Sequence, residues 1–224
     1  MTRIVAMVPV RKGSQRVPGK NARAFAGTTL LDLKLEVLSG VGGISEVVVS
    51  TDCEECMGIA RNRGVTVQVR DDHYAGSAVS NDIHWRHIAE STPGDIVFMT
   101  QVTSPLVRRS THARAIRLYQ DSLERHDSLN SVSPEKKFLW LDGKPINYDI
   151  DRTPKSQDLP DITSLNFAIT IIDRALMIER GNVVGRTPQF IVFDKLESVD
   201  VDDMTDFVTA ESIFLQQGRD WLLD

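Results

Sequence analysis

The sequence predicts an α/β fold, a mostly parallel sheet covered by helices on both faces. Three observations predict it. Short runs rich in Val and Ile alternate with segments of helical period through most of the chain, the β-α rhythm that parallel crossover connections require. The chain has 224 residues, 41% of them hydrophobic and 25% charged, ordinary values for a soluble globular protein that buries its own core. No internal repeat, low-complexity tract or disulfide framework offers another way to hold it together. A single domain over residues 1–224 is expected.

Ile4 to Val10, Glu46 to Ser50, Val65 to Val69 and Asp95 to Met99 are strand-length and bounded by Gly, Pro or charged residues. Thr29 to Leu38 places Leu30, Leu33, Val37 and Leu38 at helical spacing, and Cys53 to Arg63, Ser80 to Glu90 and Arg109 to Leu118 are the corresponding helices after the later strands. Ligands of such sheets bind outside the carboxyl ends of the strands, which directs attention to the loops after Val10, Ser50 and Met99. Between Pro134 and Leu165 the rhythm breaks. That stretch holds four of the nine prolines (Pro134, Pro145, Pro154, Pro160), together with Trp140 and Tyr148, and is expected to leave the sheet. A strand from Asn166 to Ile172, a helix from Asp173 to Arg180, a strand from Gln189 to Phe193 and a last helix from Met204 to Gln216 complete the pattern.

The formal net charge of −5 argues against a general nucleic-acid binder, which needs an extended excess of Lys and Arg. An anionic ligand must therefore meet a local basic site. No run of 18 apolar residues occurs, and the start, MTRIVAMVPVRKG, is too short for a signal-peptide core; a cytoplasmic protein without a membrane partner is expected. Cys53 and Cys56 form one C-x-x-C pair without a second, and read as helix residues in a reducing compartment. The histidines His73, His84, His87, His112 and His126 form no i, i+4 metal pair, and His84 and His87 are expected on a helix surface.

The local basic site is at the first strand. Residues 1–27 hold Arg3, Arg11, Lys12, Arg16, Lys20 and Arg23 and not one Asp or Glu. Most of these cations fall in the loop that opens after Val10, where Gly13, Ser14 and Gly19 let the backbone approach a ligand. The pattern suits a polyphosphate; the alternative is a solvated basic loop. A Walker A loop is excluded because Gly13 to Lys20 has the wrong spacing and Asn21 stands where a hydroxyl belongs, and the G-x-G-x-x-G fingerprint is absent.

Val8-Pro-Val-Arg-Lys-Gly-Ser-Gln-Arg-Val-Pro-Gly-Lys-Asn21 resembles the signature loop of the acylneuraminate cytidylyltransferases. In order along the chain, Val48-Val-Ser-Thr-Asp52, Gln101-Val-Thr-Ser-Pro-Leu106, Asp127-Ser-Leu-Asn-Ser-Val132 and Ser198-Val-Asp-Val-Asp-Asp203 resemble that family's further motifs. The resemblance implies a Rossmann-like nucleotidyltransferase fold, usually dimeric, with 134–165 packing on a second subunit. It implies transfer of CMP from CTP to a nine-carbon 2-keto sugar acid, sialic or another nonulosonic acid, with release of pyrophosphate. By resemblance Arg11 and Lys20 contact the phosphates. Gly13, Ser14, Asn21, Arg70 and Ser80 take part in nucleotide binding, while Gln101, Thr103, Gln157 and Asn166 face the sugar. Asp200 and Asp202 match the acid pair that holds magnesium (Mg2+), with Arg11, Lys20 and Asp202 in the catalytic roles. Asp203 and Asp206 read instead as the N-terminus of the last helix, and Thr51 and Asp52 as site residues or a helix N-cap.

The sugar half departs from the pattern. The sialate run R-R-Q-x-x-P is here Arg152-Thr-Pro-Lys-Ser-Gln157-Asp-Leu-Pro160, and N-G-A-I-Y is here Asn166-Phe-Ala-Ile-Thr170. Phe167 in place of glycine is expected to reshape the pocket floor. Ala78 and Ser80 stand where a small residue and a serine follow the nucleotide-binding arginine. Ser14-Gln-Arg-Val-Pro-Gly-Lys20 also resembles the loop of the 3-deoxy-manno-octulosonate cytidylyltransferases, so activation of that eight-carbon acid or an amino-modified form is the alternative. A non-catalytic nucleotide-binding protein is the remaining one.

Overall fold

The computed structural model describes residues 2–14, 16–71, 74 and 79–224 of the chain. His73 and Ala78, singled out above, lie outside the described residues. The elements run β1 (Ile4–Val10), β2 (Ala24–Phe25), β3 (Thr28–Thr29), α1 (Leu30–Ser39), β4 (Glu46–Thr51), α2 (Glu54–Asn62), β5 (Thr66–Val69), α3 (Asn81–Glu90), β6 (Ile96–Thr100), α4 (Arg109–Ser122), β7 (Ser128–Glu135), β8 (Trp140–Leu141), β9 (Lys144–Pro145), β10 (Ile162–Asp173), α5 (Arg174–Arg180), β11 (Pro188–Val192), α6 (Met204–Gln217) and α7 (Arg219–Leu223).

One seven-stranded sheet in the order β11-β7-β10-β6-β1-β4-β5 carries the fold. β1 pairs in parallel with both β4 and β6, and β4 with β5. β1 is buried except at Pro9, and its unbroken apolar run shows no strand alternation because helices cover both of its faces. On one face α1, α2, α4, α6 and α7 build the larger core; on the other, Ile88 and Ala89 of α3 and Met177 of α5 pack on Val5, Met7, Val97 and Met99. The chain leaves β1 toward β4 on one side and reaches β6 on the other, which opens a crevice at the carboxyl ends of β1 and β6.

Two expectations are refined. β10 runs antiparallel to both β6 and β7, so the sheet is mixed at that side. β7 is a strand whose sequence, SLNSVSPE, lacks the apolar run that marks one. Its buried Asn130 and Ser131 are satisfied internally, Asn130 Nδ2 donating to Thr170 Oγ1 at 3.2 Å and to the Val183 carbonyl at 3.0 Å, and Ser131 Oγ to the Ile169 carbonyl at 3.2 Å. Pro134 belongs to β7 and Ile162 to Leu165 belong to β10, which narrows the excursion to 136–161. There the prolines leave a two-stranded hairpin and two single 3-10 turns, Ile150–Arg152 and Ser156–Asp158.

His112 of α4 is completely buried between the Thr100 hydroxyl at 3.3 Å and the Arg108 carbonyl at 2.7 Å. Burial, reinforced by Lys34, holds its pKa well below the ordinary value, so it is neutral in the folded chain. The unfolded chain takes up that proton below about pH 6.5 and the folded one does not, so stability falls with acidification, each such proton steepening the slope by up to about 1.4 kcal/mol per pH unit. Urea unfolding at pH 7.5 and pH 5 is expected to show this loss, and His112→Gln to make it shallower; an unchanged slope would remove His112 from the account.

Candidate active site

The basic loop is held at both ends. Buried Asn21 donates from Nδ2 to the Arg11 carbonyl at 3.1 Å, and its own carbonyl accepts the Leu31 amide of α1 at 3.1 Å. Lys12 N donates to Asp52 Oδ1 at 2.8 Å. Gly19, at φ +64°, turns the chain in a conformation that side chains disfavour, and its carbonyl accepts the amides of Ala22 and Arg23. That turn delivers Lys20, whose Nζ donates to the Val201 carbonyl at 2.6 Å. Arg16 pairs with Asp202 at 2.8 Å, both side chains more than half exposed. The first loop and the Ser198 to Asp203 segment therefore meet.

The acid segment is anchored by Val201, which is fully buried and donates its amide to the Thr103 carbonyl at 2.7 Å. Asp200 and Asp202 flank it. Burial raises the Asp200 pKa, with Thr103 lowering it, Asp202 raising it and Lys20 lowering it in turn. Burial likewise lowers Lys20, and Asp200 and Asp202 raise it against Arg16 and Arg11. Asp200 Oδ1 is buried and has no hydrogen-bond partner. An unsatisfied carboxylate oxygen of that kind costs about 1–3 kcal/mol or more, and a hard cation held with Asp202 would satisfy it. Among the described residues no group of three or more His, Cys, Asp or Glu side chains forms a metal site. A divalent ion at this pair would thus complete its shell from water and phosphate oxygens, as Mg2+ does.

A cleft of about 620 Å³ lies at the carboxyl ends of β1 and β6. Of the residues singled out in the sequence, Arg11, Ser14, Lys20, Asn21, Arg70, Gln101, Thr103 and Asp202 line it. Arg70, on the loop after β5, is buried and fixed by Nε to Ser50 Oγ at 3.3 Å and by its terminal nitrogen to the Ser50 carbonyl at 2.8 Å. Ser50 lies within β4, so the strand itself rather than the loop after it supports Arg70 in the cleft. Gln101 N donates to the Ala168 carbonyl at 3.2 Å, which joins the loop after β6 to β10.

Other sequence-derived residues sit elsewhere. Gly13 is exposed and Ser80 is the exposed N-cap residue of α3; neither lines the cleft, though Val79 and Asn81 do. Gln157 is exposed on a 3-10 turn. Asn166 does not line the cleft, because its amide is spent on β7: Oδ1 accepts from Ser131 Oγ and Nδ2 donates to Ser133 Oγ at 2.9 Å. Phe167 sits in a register shift of β10 at φ +54°, a conformation costly for a side chain, and turns onto Trp85 of α3 with ring centroids 6.3 Å apart rather than lining the cleft. Asp52 does not cap α2; Cys53 is the N-cap residue and Thr51 Oγ1 accepts its amide at 3.0 Å. Asp203 and Asp206 form the capping box of α6.

His84 corrects the expectation of a surface residue, for it lines the cleft beside Arg70. Burial, reinforced by Arg70 and His87, lowers its pKa to about 4 and leaves a neutral imidazole. His87 is half-buried and stacks on Tyr74 at 3.8 Å. No sequence pattern marks His84, although Asn81 and His84 share a helix face at i, i+3. Asp202 lines the cleft whereas Asp200 does not; with Arg11, Lys20 and Arg70 on its walls as well, the cleft can hold a polyphosphate together with a divalent ion.

The chain is similar to several known proteins. A family model described as Cytidylyltransferase matches residues 5–139. The N-acylneuraminate cytidylyltransferase of Escherichia coli O18:K1:H7 (strain RS218 / NMEC) is 28% identical over 97% of this chain and 54% of its own length. The CMP-N,N'-diacetyllegionaminic acid synthase of Legionella pneumophila subsp. pneumophila is 26% identical over 94% of this chain and 96% of its own. The chain thus spans about half the length of several curated relatives it matches. A solved CMP:2-keto-3-deoxy-manno-octonic acid synthetase, complexed with CTP, superposes with a TM-score of 0.71 at 16% identity, over 97% of this chain and 100% of that one. A cytidylyltransferase of Leptospira borgpetersenii superposes at 0.63 with 20% identity, over 96% and 88%, and the shared architecture is the mostly parallel sheet flanked by helices. With more than half of its length matched by that family model, this chain belongs to the cytidylyltransferase family.

Proposed function

We propose that the chain transfers CMP from CTP to the anomeric hydroxyl of a 2-keto-3-deoxy sugar acid of the sialic or other nonulosonic type, releasing pyrophosphate. The observation that carries this reading is the meeting of Lys20 with the Asp200–Asp202 segment at the rim of a cleft that Arg11 and Arg70 also line. Similarity to an N-acylneuraminate cytidylyltransferase and to a CMP-N,N'-diacetyllegionaminic acid synthase supports an acid of this type.

In this reading Arg11, Lys20 and the amides of the loop around Ser14 hold the triphosphate, and their charge stabilises the developing pyrophosphate. Arg70, clamped by Ser50, holds the nucleoside end, and neutral His84 lies beside it without adding charge. Asp200 and Asp202 would hold a magnesium ion, which would supply charge neutralisation at the phosphate and lower the pKa of the attacking hydroxyl. Arg16 releases Asp202 when nucleotide and metal enter, an inexpensive exchange because an exposed ion pair is worth only about 0–1 kcal/mol. Gln101 and Thr103 orient the sugar acid. Thr103 offers a hydroxyl where the eight-carbon enzymes carry a carboxylate, which ranks that alternative second.

The chain works in the cytoplasm as a homodimer in this reading. No helix of the described residues is long and apolar enough to cross a membrane. The exposed Trp140, Leu141, Ile146 and Ile150 of the excursion form the apolar surface that a second subunit would cover.

Pyrophosphate release is expected with CTP, Mg2+ and a nonulosonic acid in a panel that includes 3-deoxy-manno-octulosonate. Binding of CTP with silence across the panel would favour the non-catalytic alternative. Asp202→Ala is expected to lower turnover at least about 100-fold with an unchanged unfolding midpoint, and Lys20→Ala to lower it by a similar factor; wild-type turnover in either variant removes that residue from the machinery. Light scattering is expected to give a dimer mass, and Trp140→Asp to shift it to the monomer.

A further inference from the structure

Lys34 is the anomaly of α1. It stands among Leu30, Leu31, Leu33, Leu35 and Leu38 and is as buried as they are, at 1% exposure. Its Nζ donates to the Ser104 carbonyl at 3.0 Å, the residue after Thr103. The carboxylate that acts on it through space is Glu197, also 1% exposed, which sits three residues before Asp200. Glu197 in turn accepts the Arg108 backbone amide at 3.0 Å and the Arg108 guanidinium at 3.1 Å. Arg108 closes the loop that begins at Gln101, and Asp194 binds it from the acid segment at 3.2 Å. The Val201 amide on the Thr103 carbonyl completes a ring of contacts.

We infer that Lys34 and Glu197 form a buried clamp that fixes the Gln101–Arg108 loop against the 194–203 segment, so that Thr103, Asp200 and Asp202 hold their positions toward the metal–nucleotide. The clamp rests on the reading of the acid pair as the metal site. Stability alone does not account for it: a buried ammonium and carboxylate are costly to desolvate, and apolar residues of similar volume commonly replace such groups without loss. A methionine at 34 would continue the apolar face of α1. Burial lowers the Lys34 ammonium to about 7 and Glu197 opposes that shift; the two hold the loop at separate points, Lys34 at the Ser104 carbonyl and Glu197 at Arg108. Lys34 and Glu197 are positioning residues; neither lines the cleft.

The test measures Mn2+ bound to the full chain in the presence of CTP by electron paramagnetic resonance, beside the unfolding midpoint and CTP affinity in EDTA. Lys34→Met is expected to weaken Mn2+ about tenfold while metal-free CTP affinity stays within about twofold. Lys34→Met combined with Glu197→Gln removes both buried charges and is expected to leave Mn2+ affinity as weak as in the single variant; it also serves if the single variant does not fold. Wild-type Mn2+ affinity in either variant overturns the clamp. If wild-type protein binds no Mn2+, or Asp202→Ala binds it as tightly, the acid-pair reading fails and takes the clamp with it, a result distinct from failure of the clamp alone.

Discussion

Val201 is the residue on which the site depends. Its side chain is fully buried, its amide is bonded to the Thr103 carbonyl, and its carbonyl receives the Lys20 ammonium. Two stretches of chain far from it in sequence, at Lys20 and Thr103, are therefore fixed to this one residue. Burial of the valine, about 1.5–3 kcal/mol for a side chain of its class, makes the arrangement insensitive to the exposed charges on either side. Asp200 and Asp202 flank a rigid point, and the cations that face them come from a loop closed by buried Asn21.

The electrostatics follow from that geometry. A chain of net charge −5 gathers six cations without an acid in its first 27 residues, and of these Lys20 and Arg16 meet the acid segment at Val201 and Asp202. Where the pairs are exposed, as for Arg16 and Asp202, they exchange partners cheaply. Where they are buried, as for Glu197 with Arg108, removal of one partner leaves a stranded charge. Exchangeable contacts line the rim and fixed ones lie beneath it, the order required of a site that must admit a highly charged ligand without losing its shape.

The β10 side of the cleft is built by different means. β7 buries hydroxyl and amide groups that bond to β10, and the register shift of β10 places Phe167 in a left-handed conformation against Trp85. The shift also presents the Ala168 carbonyl to Gln101, so backbone irregularity in β10 sets the position of a cleft residue. A glycine at 167 would adopt that conformation freely; phenylalanine gains its place through packing on α3.

The sequence by itself determined the α/β rhythm, because strand and helix periods and their boundaries are local properties: β1 is found at Ile4–Val10 as the pattern of apolar residues requires. It also marked the basic loop, since six cations without an acid in the first 27 residues is a property of composition, and it separated Asp203 and Asp206 as a helix cap from Asp200 and Asp202. Tertiary structure alone decided what depends on burial and on contacts between distant segments. β7 escaped notice because its side chains are polar and become strand-like only when β10 satisfies them. His84 and Lys34 carry no motif; one became a neutral wall of the cleft and the other a buried cation through the surfaces packed around them. The meeting of Lys20 with Val201 has the same origin, for no spacing within a chain encodes which of its ends will touch.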